Sequence, residues 1–179
     1  MHEQGVRGIR FNIASGGGPS GLEEIRSLAE RIAPFGWSVS FFMDAENLIP
    51  METFLRSLPC DVILDHRAHI PANQGVNHPA FPVVYRLLEE NKIWVKLSAL
   101  YIDSRKPDYS DSAALGKALC RINPDRCLWG SDWSHPLLYE RRTEFPNDAD
   151  MLDMLYEQAG DEETFRKILV DNPAKAYGF

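Results

Sequence analysis

The sequence predicts an α/β fold built on a parallel β-sheet. Five short runs with strand character recur along the chain at intervals of about 24–33 residues. Several are nearly continuous apolar stretches, as expected of parallel strands that are covered on both faces. Segments with helical character fill the gaps, and strand–helix alternation is typical of a parallel sheet. The predicted strands are Gly8–Ile13, Trp37–Met43, Asp61–His66, Ile93–Ala99 and Arg126–Asp132.

The first predicted helix has the clearest start and stop signals. Ser20 and Glu23 have the spacing of a capping box, and the apolar residues that follow recur at helical spacing. Pro34 and Gly36 end this pattern. Five more helices are predicted, and Asp161 is a candidate N-cap for the last of them. Their ranges are 51–58, 80–91, 111–121, 148–159 and 162–170.

Composition and charge exclude several classes of function. A chain of 179 residues can build one domain with a core, and the net charge of −7 argues against nucleic-acid or membrane-surface binding. No apolar run is long enough to span a membrane or to act as a signal peptide, so we expect a cytoplasmic protein. The three cysteines lack a metal-binding spacing and are interpreted as reduced, buried thiols.

Polar residues lie at the carboxyl ends of four of the five predicted strands. In eightfold barrels the active site gathers at this end of the sheet. Residues two apart on a strand share a face, so each of these strands can direct its polar end inward. On the third strand Leu64 would share the inward face with His66, and Asp65 would face away as a structural residue. The alternative is that these residues only end their strands in solvent. The set comprises Arg10, Asn12, His66, Lys96, Ser98 and Asp132.

Asp132 is the first candidate for chemistry. It follows an apolar strand, and Trp129 and Trp133 flank it. A carboxylate at the mouth of an apolar pocket can act as a general base towards water, or can ligate a metal that activates water. The competing interpretation is a helix N-cap, because an aspartate after a strand often begins the next helix.

The histidines and basic residues allow similar alternatives. His66 can donate to a substrate carbonyl or bind a metal, or it can be an ordinary core residue. His135 lies beside Asp132 and is the most interesting of the loop histidines. Arg10 and Lys96 need an anionic partner, and the planar fork of arginine favours a substrate carboxylate over a protein one. Cys127 is interpreted as a core residue.

An open doubly wound sheet and a closed eightfold barrel both fit this pattern. Five segments then carry a resemblance over essentially the whole chain. They are GVRGIRFN, ILDHRAHIPANQGVNHPAF, WVKLSALY, RCLWGSDWSHP and KILVDNPAKAYGF. In this order and spacing they resemble the amidohydrolase family (amidohydrolase 2 type), and within it the metal-independent hydrolases similar to 2-pyrone-4,6-dicarboxylate lactonase.

The resemblance implies a partial (β/α)₈ TIM barrel. Residues 1–179 would be the C-terminal part of a single amidohydrolase-type barrel domain and would supply strands four to eight. The three N-terminal strand–helix units, with the His-x-His pair that the family carries on its first strand, would precede Met1. No H-x-H occurs in this sequence. We therefore expect a truncated or mis-started gene product, or one piece of a split barrel.

The resemblance also implies roles for single residues. Asp132 matches the aspartate that activates water, His66 matches the histidine that polarises the substrate carbonyl, and Arg10 matches an arginine that grips a substrate carboxylate. Two positions depart from the lactonase pattern. Ile102 stands where lactonases have an arginine, although Arg105 is close by, and Phe42 stands where they have a tyrosine.

The resulting hypothesis is a hydrolase that opens a lactone, or a related C–O or C–N bond, in a small substrate that carries a carboxylate. Asp132 and His66 are the predicted catalytic residues, with no cofactor. A zinc-dependent decarboxylase with His66 and Asp132 as ligands is the second hypothesis. The third is an inactive fragment that self-associates through its open barrel edges. The predicted substrate-binding residues are Arg10, Asn12, Lys96, Ser98, Arg105 and His135.

Overall fold

A computed structural model describes residues 1–14, 21–141 and 144–179. Its five strands form one parallel sheet in which chain order equals spatial order. All five predicted strands are present, which confirms the α/β class, although four of the five are shorter by two or more residues. The strands are β1 Gly8–Asn12, β2 Ser38–Phe42, β3 Val62–Leu64, β4 Ile93–Lys96 and β5 Cys127–Leu128.

Helices alternate with these strands. The helix predicted at 148–159 matches α7, and Asp161 caps α8 by accepting a hydrogen bond from the backbone N–H of Thr164 at 2.7 Å. Ser20, the predicted partner of Glu23 at the start of α1, lies outside the described residues. Three short helices were not predicted, namely α4, α6 and α9. The helices are α1 Leu22–Ile32, α2 Leu48–Ser57, α3 Phe81–Glu89, α4 Leu100–Asp103, α5 Ala113–Ile122, α6 Pro136–Arg141, α7 Asp148–Ala159, α8 Glu162–Arg166 and α9 Asn172–Tyr177.

The main core lies between one face of the sheet, here called the outer face, and the longer helices. α1 presents Ile25 and Ala29 to this core, because its apolar residues recur at helical spacing on one side. Val39 and Leu64 lie on the outer face and are fully buried. Removing such side chains from water stabilises the fold by about 1.5–3 kcal/mol each. Because these side chains occupy the outer face, the residues between them on each strand point to the opposite, inner face.

The inner face has a small apolar cluster of its own. Ile63, Trp94 and Leu128 come from three adjacent strands, and Ala176 of α9 packs against them. The side-chain amide of Asn172 fastens α9 below β5, because it donates to the carbonyl oxygens of Pro124 and Cys127, both at 2.7 Å. This cluster fills the amino-terminal part of the inner face. The carboxyl-terminal part stays open to a cavity.

The two outermost strands each have one neighbour within the part of the chain that the structure describes. β1 pairs with β2, and β5 pairs with β4. Edge strands of this kind present unpaired backbone N–H and C=O groups.

None of the described helices is both long enough and apolar enough to cross a membrane. Cys127 lies in the core, as predicted, and Cys120 is also buried, whereas Cys60, which was predicted to be buried, is only partly so.

Candidate active site

A cavity of about 750 Å³ lies at the carboxyl end of the sheet, on the inner face. It brings together six of the eight predicted site residues, from four different strands or the turns that follow them. Hydrophobic side chains complete its wall, among them Phe42, Ile102 and Trp129. The six predicted residues are Arg10, Asn12, His66, Lys96, Ser98 and Asp132. The rule that parallel strands gather polar residues at their carboxyl ends therefore locates this site.

Asp65 also lines the cavity, contrary to the prediction that it faces away. Strand alternation places Ile63 and Asp65 on the inner face, while Leu64 is buried in the outer core. The carboxylate of Asp65 accepts a hydrogen bond from Nε of Arg10 at 2.6 Å, and its other oxygen lies 2.8 Å from Nζ of Lys96. The anionic partner of both cations is thus a protein carboxylate.

The charge state of Asp65 follows from these contacts. Burial alone would raise the pKa of this carboxyl group, because it disfavours the charged form. The attraction of Lys96 and the hydrogen bonds from Lys96 and Arg10 outweigh burial and hold the pKa of Asp65 below its ordinary value. Asp65 is therefore ionised at neutral pH and keeps the two cations side by side at the wall of the cavity.

His66 reaches the cavity by a different route from the predicted strand alternation. β3 ends at Leu64, and the backbone then runs through four left-handed residues, with φ between 51° and 57° from His66 to His69. Left-handed backbone costs a residue other than glycine roughly 1–2 kcal/mol. The turn brings His66 to the inner face directly after Asp65, although strict alternation would place two successive residues on opposite faces.

Buried hydrogen bonds from Arg67 hold this turn in place. The guanidinium of Arg67 is completely buried and donates to the backbone carbonyl of Ser98 at 2.8 Å and to Asp103 at 3.1 Å. Burial raises the pKa of Asp103 to about 6, although Arg67 acts in the opposite direction. Arg67 therefore ties the turn after β3 to the segment after β4. This residue follows His66 in the sequence, but no pattern in the sequence indicated its buried role.

His66 is neutral in this setting. Burial lowers its pKa to about 3, and the charge of Asp65 only partly offsets this effect. Nδ1 of His66 lies 2.9 Å from the hydroxyl oxygen of Ser98. Nε2 lies 3.7 Å from Oδ1 of Asp132. When the Ser98 hydroxyl donates to Nδ1, the ring proton resides on Nε2, where it can be donated to a ligand in the cavity.

Asp132 projects into the cavity from the loop that follows β5, and its backbone is left-handed with φ 64°. Its carboxylate accepts a hydrogen bond from the hydroxyl of Tyr101 at 2.5 Å. The next helix, α6, begins four residues later at Pro136. The carboxylate of Asp132 lines the cavity and contacts Tyr101. Of the two flanking tryptophans, Trp129 lines the cavity and Trp133 is 81% exposed.

Phe42 and Ile102 occupy the two positions at which the sequence departs from the lactonase pattern. Both line the cavity. The ring of Phe42 lies under the guanidinium of Arg10, with Cζ 5.0 Å from the ring centre, and meets His66 edge-on at 5.6 Å. An apolar side chain at these positions offers van der Waals contact and no hydrogen bond to a ligand.

Two predicted substrate-binding residues lie outside the wall of this cavity. Arg105 is exposed, and its backbone N–H donates to Asp111 at 2.9 Å. His135 is buried beside a second cavity, where its Nε2 lies 3.1 Å from Asp148 and its ring meets Tyr101 edge-on at 5.4 Å.

The donor set for a metal is small. His66 and Asp132 bring one nitrogen and one carboxylate towards the same point. Catalytic zinc sites use three protein ligands. Among the residues with described positions, no group of three or more histidines, cysteines or carboxylates is arranged to hold a metal ion. Within the described parts of the chain, His66 and Asp132 by themselves fall short of the three protein ligands of a catalytic zinc site.

Comparison with known proteins agrees with this architecture. The sequence is 30% identical over 188 residues to a 2-pyrone-4,6-dicarboxylate hydrolase of Comamonas testosteroni, a match that covers 99% of this chain and 61% of that protein. It is also 30% identical over 181 residues to a 4-sulfomuconolactone hydrolase of Hydrogenophaga intermedia, covering 99% of this chain and 59% of that protein.

Solved structures show the same fold. One is a probable 2-pyrone-4,6-dicarboxylic acid hydrolase from Acinetobacter baumannii with citric acid bound, which superposes with a TM-score of 0.81 at 21% identity. The match covers 99% of this chain and 66% of that one. The chain thus spans about three fifths of the length of the curated relatives that it matches. The family model for amidohydrolases matches residues 1–179, and the chain belongs to the amidohydrolase family.

Proposed function

We propose that residues 1–179 form the C-terminal part of a single amidohydrolase-type barrel and supply its strands four to eight. Five parallel strands in chain order, with helices between them, support this assignment. The share of the relatives' length that the chain covers is also what five of eight strand–helix units would give. The remaining three units would pair with β1 and β5 and close the sheet.

The reaction that we propose for the whole protein is hydrolysis of a lactone in a small carboxylate-bearing compound, with the cytoplasm as its location. One observation carries this proposal. Oδ1 of Asp132 and Nε2 of neutral His66 lie 3.7 Å apart in a cavity whose wall also carries Arg10 and Lys96. A base, a neutral hydrogen-bond donor and cations are the groups that lactone opening needs.

In this mechanism Asp132 takes a proton from water as the water oxygen attacks the lactone carbonyl carbon. Nε2–H of His66 donates to the carbonyl oxygen and stabilises the negative charge that develops there. The bond between the carbonyl carbon and the ring oxygen then breaks. The ring oxygen leaves with the proton held by Asp132, so that the carboxylic acid and the free hydroxyl form without net gain or loss of protons.

Arg10 is the group that we propose for binding the substrate carboxylate. Its Nε donates to Asp65, which leaves the two terminal nitrogens for a second, planar acceptor. Lys96 and Asn12 flank it in the cavity wall. Ser98 acts on the substrate through His66, because its hydroxyl lies on Nδ1 of that ring. The names of the relatives indicate a lactone ring that carries carboxylate or sulfonate groups.

The test of this function is turnover of 2-pyrone-4,6-dicarboxylate and of 4-sulfomuconolactone by the whole protein, followed by loss of ring absorbance. We expect Asp132→Asn to abolish turnover. Asp125→Asn removes a carboxylate that lies away from the cavity, paired with Lys167 at 2.8 Å, and should retain it. Full activity of Asp132→Asn would remove Asp132 from the mechanism.

The two other hypotheses have their own measurements. A zinc-dependent decarboxylase would show stoichiometric zinc in elemental analysis of the purified whole protein and would release CO₂ from an aromatic or unsaturated acid. An inactive fragment would self-associate through the open edges at β1 and β5. A monodisperse monomer of residues 1–179 that melts cooperatively would contradict the fragment hypothesis.

A further inference from the structure

Tyr101 connects the segment after β4 to the base that follows β5. It lies in α4, and its hydroxyl donates to Oδ2 of Asp132 at 2.5 Å. Its ring is partly buried and is supported edge-on by His135 at 5.4 Å. No motif or spacing in the sequence marks this tyrosine, because it is a single tyrosine after a strand.

The two oxygens of Asp132 therefore have different surroundings. Oδ2 accepts a hydrogen bond from the hydroxyl of Tyr101, whereas Oδ1 faces Nε2 of His66 at 3.7 Å. A carboxylate on a free side chain can rotate and exchange its oxygens. A strong hydrogen bond to one oxygen removes that freedom.

We propose that Tyr101 is a positioning residue, which holds Oδ2 of Asp132 so that Oδ1 alone is presented to water beside His66. The role of Oδ1 as proton acceptor rests on the function proposed above, whereas the contact itself does not. Asp132 is then ordered when the protein folds, before the substrate binds. A base that is already in position lowers the activation barrier of the reaction.

The phenol is suited to this role because it stays protonated. Burial raises the pKa of Tyr101 well above its ordinary range, and the hydrogen bond to Asp132 raises it further. A lysine or arginine in the same place would add a positive charge next to the base. A neutral donor fixes the carboxylate without adding a charge beside it.

The first arm of the test is kinetic and uses Tyr101→Phe in the whole protein. This change removes the donor and keeps the ring that packs on His135. We expect kcat to fall about 10- to 100-fold, since a misplaced catalytic group has an effect of that order. KM should change less than about two-fold, because Tyr101 does not line the cavity. Tyr85→Phe is the matched control, because it removes a surface phenol that donates to Glu89 at 3.2 Å.

The second arm needs no turnover. In the wild type, ¹H NMR with labelled tyrosine should show one slowly exchanging, downfield hydroxyl proton. This signal should vanish in Tyr101→Phe, move upfield in Asp132→Asn and persist in Tyr85→Phe. An absent signal in the wild type, or one that Asp132→Asn leaves unmoved, would overturn the contact. An unchanged kcat in a folded Tyr101→Phe enzyme would overturn the positioning role.

The two arms separate the two proposals. If neither the wild type nor any variant turns over the substrates while the hydroxyl signal is intact, lactone hydrolysis is refuted. The contact between Tyr101 and Asp132 would still stand. If Tyr101→Phe fails to fold, the response of the hydroxyl proton to Asp132→Asn still decides whether the phenol is bonded to that carboxylate.

Discussion

Asp65 joins the first and fourth strands of this sheet electrostatically, because its carboxylate lies 2.6 Å from Nε of Arg10 and 2.8 Å from Nζ of Lys96. Two cations in one cavity wall would repel each other, and the shared carboxylate offsets that repulsion. Arg10 is half exposed, so it keeps contact with solvent. Asp65 thus keeps Arg10 and Lys96 together in the cavity wall, where the proposed function places the substrate carboxylate.

The substitution Asp65→Asn should destabilise the protein by about 2 kcal/mol. Removing one member of a buried ion pair costs about 3–5 kcal/mol, and the exposure of Arg10 reduces that figure through solvent screening. Urea unfolding followed by circular dichroism gives the free energy of unfolding. The control is Asp171→Asn, which removes a carboxylate from an exposed pair with Arg166 at 2.8 Å. A loss in the control as large as in Asp65→Asn would contradict this prediction.

Stability should fall as pH decreases below about 6.5, because the buried His66 and the largely buried His69 resist protonation. Burial lowers the pKa of His66 to about 3 and that of His69 to about 4, from 6.5 in an unfolded chain. The unfolded state therefore binds protons first, and stability is full above pH 6.5 and is lost as pH falls towards the folded values. The slope is about 1.4 kcal/mol per pH unit for each histidine.

Asp103 acts in the opposite direction, since its pKa is raised to about 6 and the folded state binds its proton first. Single variants isolate the histidines from this effect. His66→Gln and His69→Gln should each flatten the dependence of the unfolding free energy on pH between 6 and 4.5. A slope identical to that of the wild type in both variants would show that neither histidine is buried in its neutral form.

Arg67→Met should be among the most destabilising single changes, with a loss of about 3–5 kcal/mol. It leaves Asp103 and the carbonyl of Ser98 without their donor and removes the contact that holds four left-handed residues. Arg105→Met makes the same chemical change at an exposed position and should shift the free energy of unfolding by no more than about 0.5 kcal/mol. Thermal melts of the two variants provide the comparison.

Carboxylate binding should depend on Arg10 and not on Arg105. Arg10 lines the cavity, while Arg105 is exposed outside its wall. Arg10→Gln should weaken binding of 2-pyrone-4,6-dicarboxylate by the whole protein roughly ten-fold or more, as expected for a charged hydrogen bond. Isothermal titration of Asp132→Asn, alone and combined with Arg10→Gln or Arg105→Gln, measures this difference without turnover. Equal weakening in both variants would place the carboxylate elsewhere.

Local pattern was enough to predict the strands and most of the site. An apolar run followed by a polar residue has one stable arrangement in a parallel sheet, with the run buried and the polar end at the edge. That is why Arg10, Lys96 and Asp132 could be placed in one cavity from the sequence. The family resemblance added candidate roles for them, and the family assignment is confirmed by the match over residues 1–179.

The side-chain positions that the sequence could not determine depend on where each strand ends. Period-two alternation places Asp65 on the inner face, and only the end of β3 at Leu64 shows that His66 enters through a left-handed turn. The contacts of Arg67, Ser98 and Tyr101 join segments more than 30 residues apart. Such contacts depend on the packing of whole elements, because a hydrogen bond between distant segments leaves no periodicity in either of them. The sequence thus determined which polar residues end the strands at one edge of the sheet, and the tertiary structure decided which side chains hold them in place.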